Sequence, residues 1–415
     1  MTTTVQGTDL VELQRRTVRL LVATQVAGGL GIGSAVSVSG LLALDLSGSQ
    51  VWAGGGGTAV TLGAALVAVP LASLAGRRGR RFSLTLGWSV AAVGALLVVL
   101  AAVTSAFWLL LVGLLAFGSG NAANLQSRYT AIDLAPVTTR ARDLSVVVWS
   151  TTVGSVVGPN LSGPGGALAR GLGLPQLAGP ILFSLAGFVG AGVLVWVRMR
   201  PDPLLTAAAT RAERAPARPT GPAVPASSAL STVARSPRAV LALAAIVASQ
   251  AVMVSVMTMT PVTMKGHGAT LTLVGLTISL HIAGMYGLSP VFGWLADRWG
   301  RVPVLLLGQV TLVLAVAVAG TAGESSWRLG LGLVLLGLGW SAGLIAGSTL
   351  LAESVTDDAR PGVQGTSDLL MNLVGAFGAA ASGVVMALLG FGGLNALAAV
   401  IVLPVLVLAA RARRS

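Results

Sequence analysis

The sequence contains no cysteine, so disulfides and thiolate metal sites are both closed to it. Charge is nearly as scarce. Only 9% of its 415 residues are Asp, Glu, Lys or Arg, where soluble domains carry about 25%, so most of the surface cannot face water. No catalytic triad, P-loop or nucleotide-binding fingerprint occurs. That leaves no enzymatic activity to propose, no cofactor, and a gradient as the energy source. What fills the chain instead is apolar: 54% of residues are hydrophobic and the mean hydropathy is +0.86. The apolar runs are continuous, and each can cross a hydrocarbon core of about 30 Å at ~1.5 Å per residue. Inside lipid every backbone polar group must be satisfied internally, which leaves helices or a closed barrel. A barrel needs alternation, which is missing. The expected class is an all-α integral membrane protein.

Twelve spans are expected, at about 20–43, 52–75, 83–104, 106–127, 144–166, 176–197, 239–264, 270–294, 302–321, 327–351, 363–389 and 391–410. A formal charge of +13 could suit nucleic acid, but the basic residues sit in short clusters between apolar runs, so no nucleic-acid partner is expected. Placing both termini in the cytoplasm leaves only Arg170, Lys265 and Arg328 outside and the other 23 of 26 Lys and Arg inside. That asymmetry predicts a multi-pass protein of a bacterial inner membrane. Arg15, Arg16 and Arg19 lead straight into the first span, which reads as an uncleaved helix rather than a signal peptide.

Residues 198–238 break the pattern with Pro201, Pro203, Pro216, Pro219, Pro222 and Pro225 among Ala, Arg and Ser. This predicts a flexible basic tether on the cytoplasmic face, joining six-helix bundles at 1–197 and 239–415. The halves echo each other. Ala23-Thr24-Gln25 resembles Ala248-Ser249-Gln250, and Leu74-Ala75-Gly76-Arg77-Arg78-Gly79-Arg80 parallels Leu295-Ala296-Asp297-Arg298-Trp299-Gly300-Arg301. Two such repeats suit a carrier that rocks one half against the other. The expected partners are membrane lipid and a small transported solute, and the expected state is a monomer.

The stretch Gly293-Trp294-Leu295-Ala296-Asp297-Arg298-Trp299-Gly300-Arg301 resembles the cytoplasmic loop signature of the major facilitator superfamily. The resemblance implies twelve helices in two pseudo-symmetric six-helix bundles, with Asp297, Arg298, Gly300 and Arg301 forming a gating loop. Gly300 would permit the turn and the charges would latch the cytoplasmic side. The first copy has Gly76 where the signature has Asp, so any latch there is built differently. Gly154-x-x-x-Gly158-Pro159 resembles the fifth-span motif of the superfamily's antiporters, a packing and hinge element whose specificity is low among 55 glycines.

Five of nine methionines (Met253, Met257, Met259, Met264, Met285) and both histidines (His267, His281) fall between positions 253 and 285. At about 100° per residue, Met253, Met257 and Met264 share one stripe of span 7. His281 and Met285 stand i, i+4 on span 8. Counted from the outer loop, Met257 lies about 10 Å deep, Met253 about 16 Å, His281 about 18 Å and Met285 about 24 Å. Thioethers and imidazole are soft-to-borderline ligands that suit Cu(I). The bland alternative is a packing stripe, since methionine fills gaps in cores; an ionisable His281 at mid-bilayer depth is functional by default, as ligand or as proton carrier.

Met253-x-x-x-Met257 with His281-x-x-x-Met285 also resembles the paired motifs of the CcoA-like bacterial copper importers. That resemblance makes Met253, Met257, His281 and Met285 the ligands of a transported copper ion. It departs from the pattern in lacking cysteine, and relatives in the same subfamily are associated with riboflavin. Met264, His267, Gln250 and Asn160 are candidate accessory groups, His267 reading first as a solvated loop residue. Gln25, Gln250, Asn121, Asn124 and Asn160 also read as interhelical glue. Asp368, near the start of span 11, is either a proton-coupling carboxylate or an acid placed by the helix dipole. The first half shows no strongly buried acid. Copper uptake is thus the leading expectation, and a proton-linked transporter or exporter of a flavin-like or drug-like organic solute is the alternative.

Overall fold

The computed structural model describes residues 7–36, 38–48, 50–214, 226–269 and 271–412. Their regular structure is helical throughout. The elements are α1 (Gly7–Val36), α2 (Ser39–Ser47), α3 (Gln50–Arg78), α4 (Arg80–Thr104), α5 (Phe107–Thr130), α6 (Arg140–Asn160), α7 (Ser162–Gly171) and α8 (Gly179–Arg198). After them come α9 (Pro203–Arg214), α10 (Ala226–Ala234), α11 (Pro237–Gly266), α12 (Leu271–Tyr286), α13 (Ser289–Trp299), α14 (Arg301–Gly320), α15 (Ser326–Glu353) and α16 (Arg360–Ala412). Among the described residues ten helices are long and apolar enough to cross a membrane, and a pair bent by 59°, Arg140–Gly158 with Ser162–Gly171, makes eleven. The twelfth is hidden in α16. Gly390, at φ 67° and ψ 178°, breaks that helix into two arms, each longer than the ~20 residues a span requires.

Several spans are broken where the chain chemistry allows it. The fifth bends after Gly158, next to Pro159. The eighth breaks between Tyr286 and Ser289, and Pro290 stands in the first turn of α13, where its missing N–H costs nothing.

The helices pack as two compact units, neither continuous in sequence: Met1–Pro136, Ser150–Ala229 and Asp357–Leu369 form one, and Val137–Trp149, Leu230–Thr356 and Leu370–Ser415 the other. In the first unit, α1, α4, α5 and α8 surround a ring cluster, with Trp88 and Phe188 at 5.7 Å and Phe117 meeting Phe188 edge-on at 4.8 Å. Gly154 and Gly158 of α6 lie directly on Gly29 and Gly33 of α1. A Cβ at Gly154 would come within 2.2 Å of the Gly29 backbone, so the glycine spacing is a packing surface, as expected.

The segment expected to be a plain tether is partly structured. Asp202 caps the start of α9 through the N–H groups of Leu204 and Leu205 and also accepts from the N–H of Arg81. Arg211 of α9 pairs with Asp357 at 2.5 Å. Residues 215–225 lie outside the described set.

In the second unit, α15 is the packing axis, with α11, α12 and α14 laid along it. Small residues set the close approach: Gly337 of α15 meets the backbone of His281 and Met285, and Gly308 of α14 meets that of Gly339 and Gly343. A cavity of about 510 Å³ lies between α11 and both arms of α16, lined by Ala244, Ala251, Phe377, Leu397 and similar groups. Its walls offer little to orient a polar solute.

Candidate functional site

Three groups of polar side chains stand out within the units. The first is the predicted loop. Asp297 accepts the N–H groups of Ala141 at 3.1 Å and Arg142 at 2.9 Å. These are first-turn donors of α6, left without intrahelical partners, at the positive end of its dipole. Arg301 binds Asp297 at 2.8 Å and Glu353 at 3.1 Å, and donates to the carbonyls of Ala296 and Val137. Gly300, at φ 97°, holds a conformation that an L side chain would strain. Asp297, Gly300 and Arg301 therefore converge. Arg298 does not: it is exposed and lies over the Trp294 ring at 5.5 Å.

The second group lies in the other unit and was largely missed by sequence reasoning. Gly76, where the signature has Asp, faces Pro361 at the start of α16. The polar contacts here are made by Arg80, which is fully buried and binds Asp133 at 2.8 and 3.2 Å and Gln364 at 2.7 Å. Burial pushes the Asp133 carboxyl above its ordinary value, against the pull of Arg80. Close to it in sequence, Arg128 pairs with Asp368 at 2.6 Å, with side chains 1% and 0% exposed. Arg128 also donates to the Tyr129 hydroxyl at 3.2 Å and lies over that ring.

Two expectations need correcting here. Asp133 is a strongly buried acid in the first half of the sequence, where none was expected. Asp368 is no helix-start residue either: α16 begins at Arg360, more than two turns earlier, and has no acid in its first turn. The available signal was Asp368 itself, because an acid within an apolar span calls for a buried counter-charge. Arg128 was placed just beyond span 4, whereas α5 runs on through Thr130.

The third group is the Met/His region of the second unit. His281 is fully buried, and its Nδ1 lies 2.7 Å from the carbonyl of Leu333 on α15. A carbonyl only accepts, so Nδ1 carries the proton, and in the neutral ring Nε2 presents its lone pair; among the described residues Nε2 has no hydrogen-bond partner. Met253 and Met285 are buried and Met257 is half-buried. Helices α11 and α12 touch only briefly, and α15 packs along both. Met264 belongs to an apolar cluster with Val274, Ala322 and Leu329. His267 and Asn160 are exposed, and Asn160 folds back onto the Val156 carbonyl.

Gln250 has a more definite setting. Its Oε1 accepts from Trp340 Nε1 at 2.8 Å, and Tyr286 meets the Trp340 ring edge-on at 5.9 Å. One amide and two aromatic rings from α11, α15 and α12 are thus linked in a cluster, with Trp340 buried and Gln250 and Tyr286 half-buried. Among the described residues no three His, Asp or Glu side chains could hold a metal ion together. Any metal at His281 would depend on thioethers.

Apolar spans, an internal sequence repeat and buried ion pairs among the described residues are features that a membrane carrier would have. Residues 20–270 and 241–415 match the profile of the Major Facilitator Superfamily, and the chain belongs to that family of secondary transporters. It is 39% identical over 378 residues to the MFS-type transporter YddS of Bacillus subtilis, covering 91% of this chain and 86% of that one. It is 29% identical over 369 residues to the riboflavin transporter RfnT of Brucella anthropi, covering 86% and 85%. The human organic anion transporter MFSD10 shares the fold, with a TM-score of 0.74 at 18% identity over 95% of this chain and 99% of that one. The protein is a multi-pass carrier and not an enzyme.

Proposed function

We propose that the protein is a proton-linked carrier of a small, planar organic solute of flavin-like character. In this reading it works by alternating access in a bacterial inner membrane with both termini in the cytoplasm. The observation that carries the reading is the Trp340–Gln250–Tyr286 cluster, in which Gln250 and Tyr286 are only half-buried. Aromatic faces supply stacking area and an amide supplies orientation, the combination that small-molecule sites use. A relative named for riboflavin transport supports the same class, and the skew of 23 of 26 basic residues to one side supports the orientation.

Asp368, paired with Arg128 and backed by Arg80, Asp133 and Gln364, is the proposed proton-coupling carboxylate, and the Asp297–Arg301–Glu353 cluster is the proposed latch. The test is uptake of labelled riboflavin into cells or proteoliposomes carrying wild type, Gln250→Leu or Trp340→Leu. The reading expects wild-type flux and a loss of at least about tenfold in each variant, the scale of one lost hydrogen bond or stacking contact. Equal flux in all three sinks it.

A second reading is copper uptake, favoured by one observation: the buried, unpartnered Nε2 of His281, one turn from Met285. It implies that Met253, Met257, His281 and Met285 carry Cu(I) as substrate. Cellular copper accumulation measured in a deletion strain, complemented with wild type or His281→Ala, decides it. Restoration by wild type alone would favour copper; no copper difference among the strains would discard it.

A further inference from the structure

Glutamines buried in this fold are mostly bonded firmly. Gln14 donates to the Ala131 carbonyl at 2.7 Å, Gln126 to the Ala68 carbonyl at 3.1 Å, and Gln309 to the Ser249 hydroxyl at 2.9 Å. These are the bonds expected of interhelical glue. Gln25 is different. It sits on α1 with 1% exposure, and its Nε2 reaches the Asn124 carbonyl of α5 and the Thr151 hydroxyl of α6 only at 3.4 Å each. Good N–H···O bonds lie at about 2.7–3.2 Å. Among the described residues its Oε1 has no hydrogen-bond partner, which is also true of the Oε1 of Gln309, but here the Nδ2 of Asn124, the residue whose carbonyl Gln25 touches, is unmet as well.

The amide orientation is fixed by chemistry. The Asn124 carbonyl can only accept, so the nitrogen of Gln25 must face it and the oxygen must point away. A buried acceptor and a buried donor are therefore left unmet on two residues that touch. Burying such groups without partners costs free energy, and folded proteins rarely tolerate it. We infer that Gln25, with Asn124 and Thr151, is a recognition point for the transported solute in the first unit, shaped for an uncharged group that offers donor and acceptor side by side. Amides, imides and lactams have that edge. This rests on, and sharpens, the organic-solute reading.

The residues themselves favour this class over the alternatives. Gln25, Asn124 and Thr151 are uncharged, so nothing named here selects an ion by charge. Amide and hydroxyl groups are poor ligands for a soft metal. The position also matters, because Ala23-Thr24-Gln25 repeats as Ala248-Ser249-Gln250. The second copy meets a Trp340 donor at 2.8 Å, whereas the first has no such partner, so the two glutamines have different work to do.

The test uses the full-length protein in detergent, with riboflavin as probe because its ring carries an imide edge. Melting temperature and riboflavin affinity are measured for wild type, Gln25→Leu and Asn124→Leu. The inference expects each variant to lose about tenfold or more in affinity, the usual effect of removing one hydrogen-bonding partner. It also expects the ligand-free melting temperature of Gln25→Leu to be unchanged or higher, since an unmet buried amide is removed. A lower melting temperature with unchanged affinity, or failure of both variants to fold, marks Gln25 as structural glue and overturns the inference. Equal riboflavin affinity in all three proteins overturns it while leaving the organic-solute reading in place. No riboflavin binding by folded wild type removes both.

Discussion

Breaking the Arg128–Asp368 pair should have unequal consequences depending on which partner is removed. The two side chains are 1% and 0% exposed and meet at 2.6 Å, and opposite charges about 4 Å apart attract by roughly 4 kcal/mol at an effective dielectric of ~20. Removing one member of a buried pair typically costs about 3–5 kcal/mol, because the survivor's charge is stranded. Arginine cannot shed its proton, whereas a carboxyl can neutralise itself by taking one up. Asp368→Leu should therefore approach the full cost, and Arg128→Met should cost less, by about 1–2 kcal/mol. The double variant should return to within about 2 kcal/mol of wild type, since a buried pair replaced by apolar groups is often neutral. Thermal unfolding in detergent, arranged as a double-mutant cycle, measures all three. If the single losses simply add in the double variant, the two side chains are not coupled and the argument from stranded charge is wrong.

Other outcomes follow from the same structure. Gly154→Val places a Cβ where the Gly29 backbone stands, 2.2 Å away, so α1 and α6 must part. A loss of about 3 kcal/mol or more is expected, read as a lower melting temperature or absent folded protein. Asp297→Ala strips the α6 N-terminus of its acceptor and Arg301 of one partner, and should cost about 1–2 kcal/mol in thermal stability. Gly300→Ala should be destabilised by about 1 kcal/mol by its positive φ of 97°, while Arg298→Ala, at an exposed cation–π contact, should move stability by under about 1 kcal/mol in the same assay.

Much of the architecture was legible in the chain because lipid imposes one rule on every span. A run of some twenty apolar residues must be helical in a bilayer whatever its neighbours do, so composition and spacing alone called for twelve. The loop after span 8 was legible in part for a related reason: the turn at Gly300 and the Asp297–Arg301 pair are close in sequence, although their contacts with α6 and Glu353 are not. Gly154 and Gly158 could be recognised because a missing side chain means close approach at one helical face.

Side-chain partnerships across helices were a different matter. Nothing in the order of residues brings Arg128 to Asp368 across 240 positions, or Trp340 to Gln250 across 90. Helical periodicity assigned Met253, Met257 and His281 to stripes, but which helix each stripe meets depends on how α11 and α12 are laid against α15. The sequence by itself determined the apolar spans and the repeat, because those follow from transfer between water and lipid, one segment at a time. Only the tertiary structure decided which polar atoms are satisfied and which, such as those of Gln25 and His281, are left facing no partner, because satisfaction is a property of pairs of atoms from distant segments.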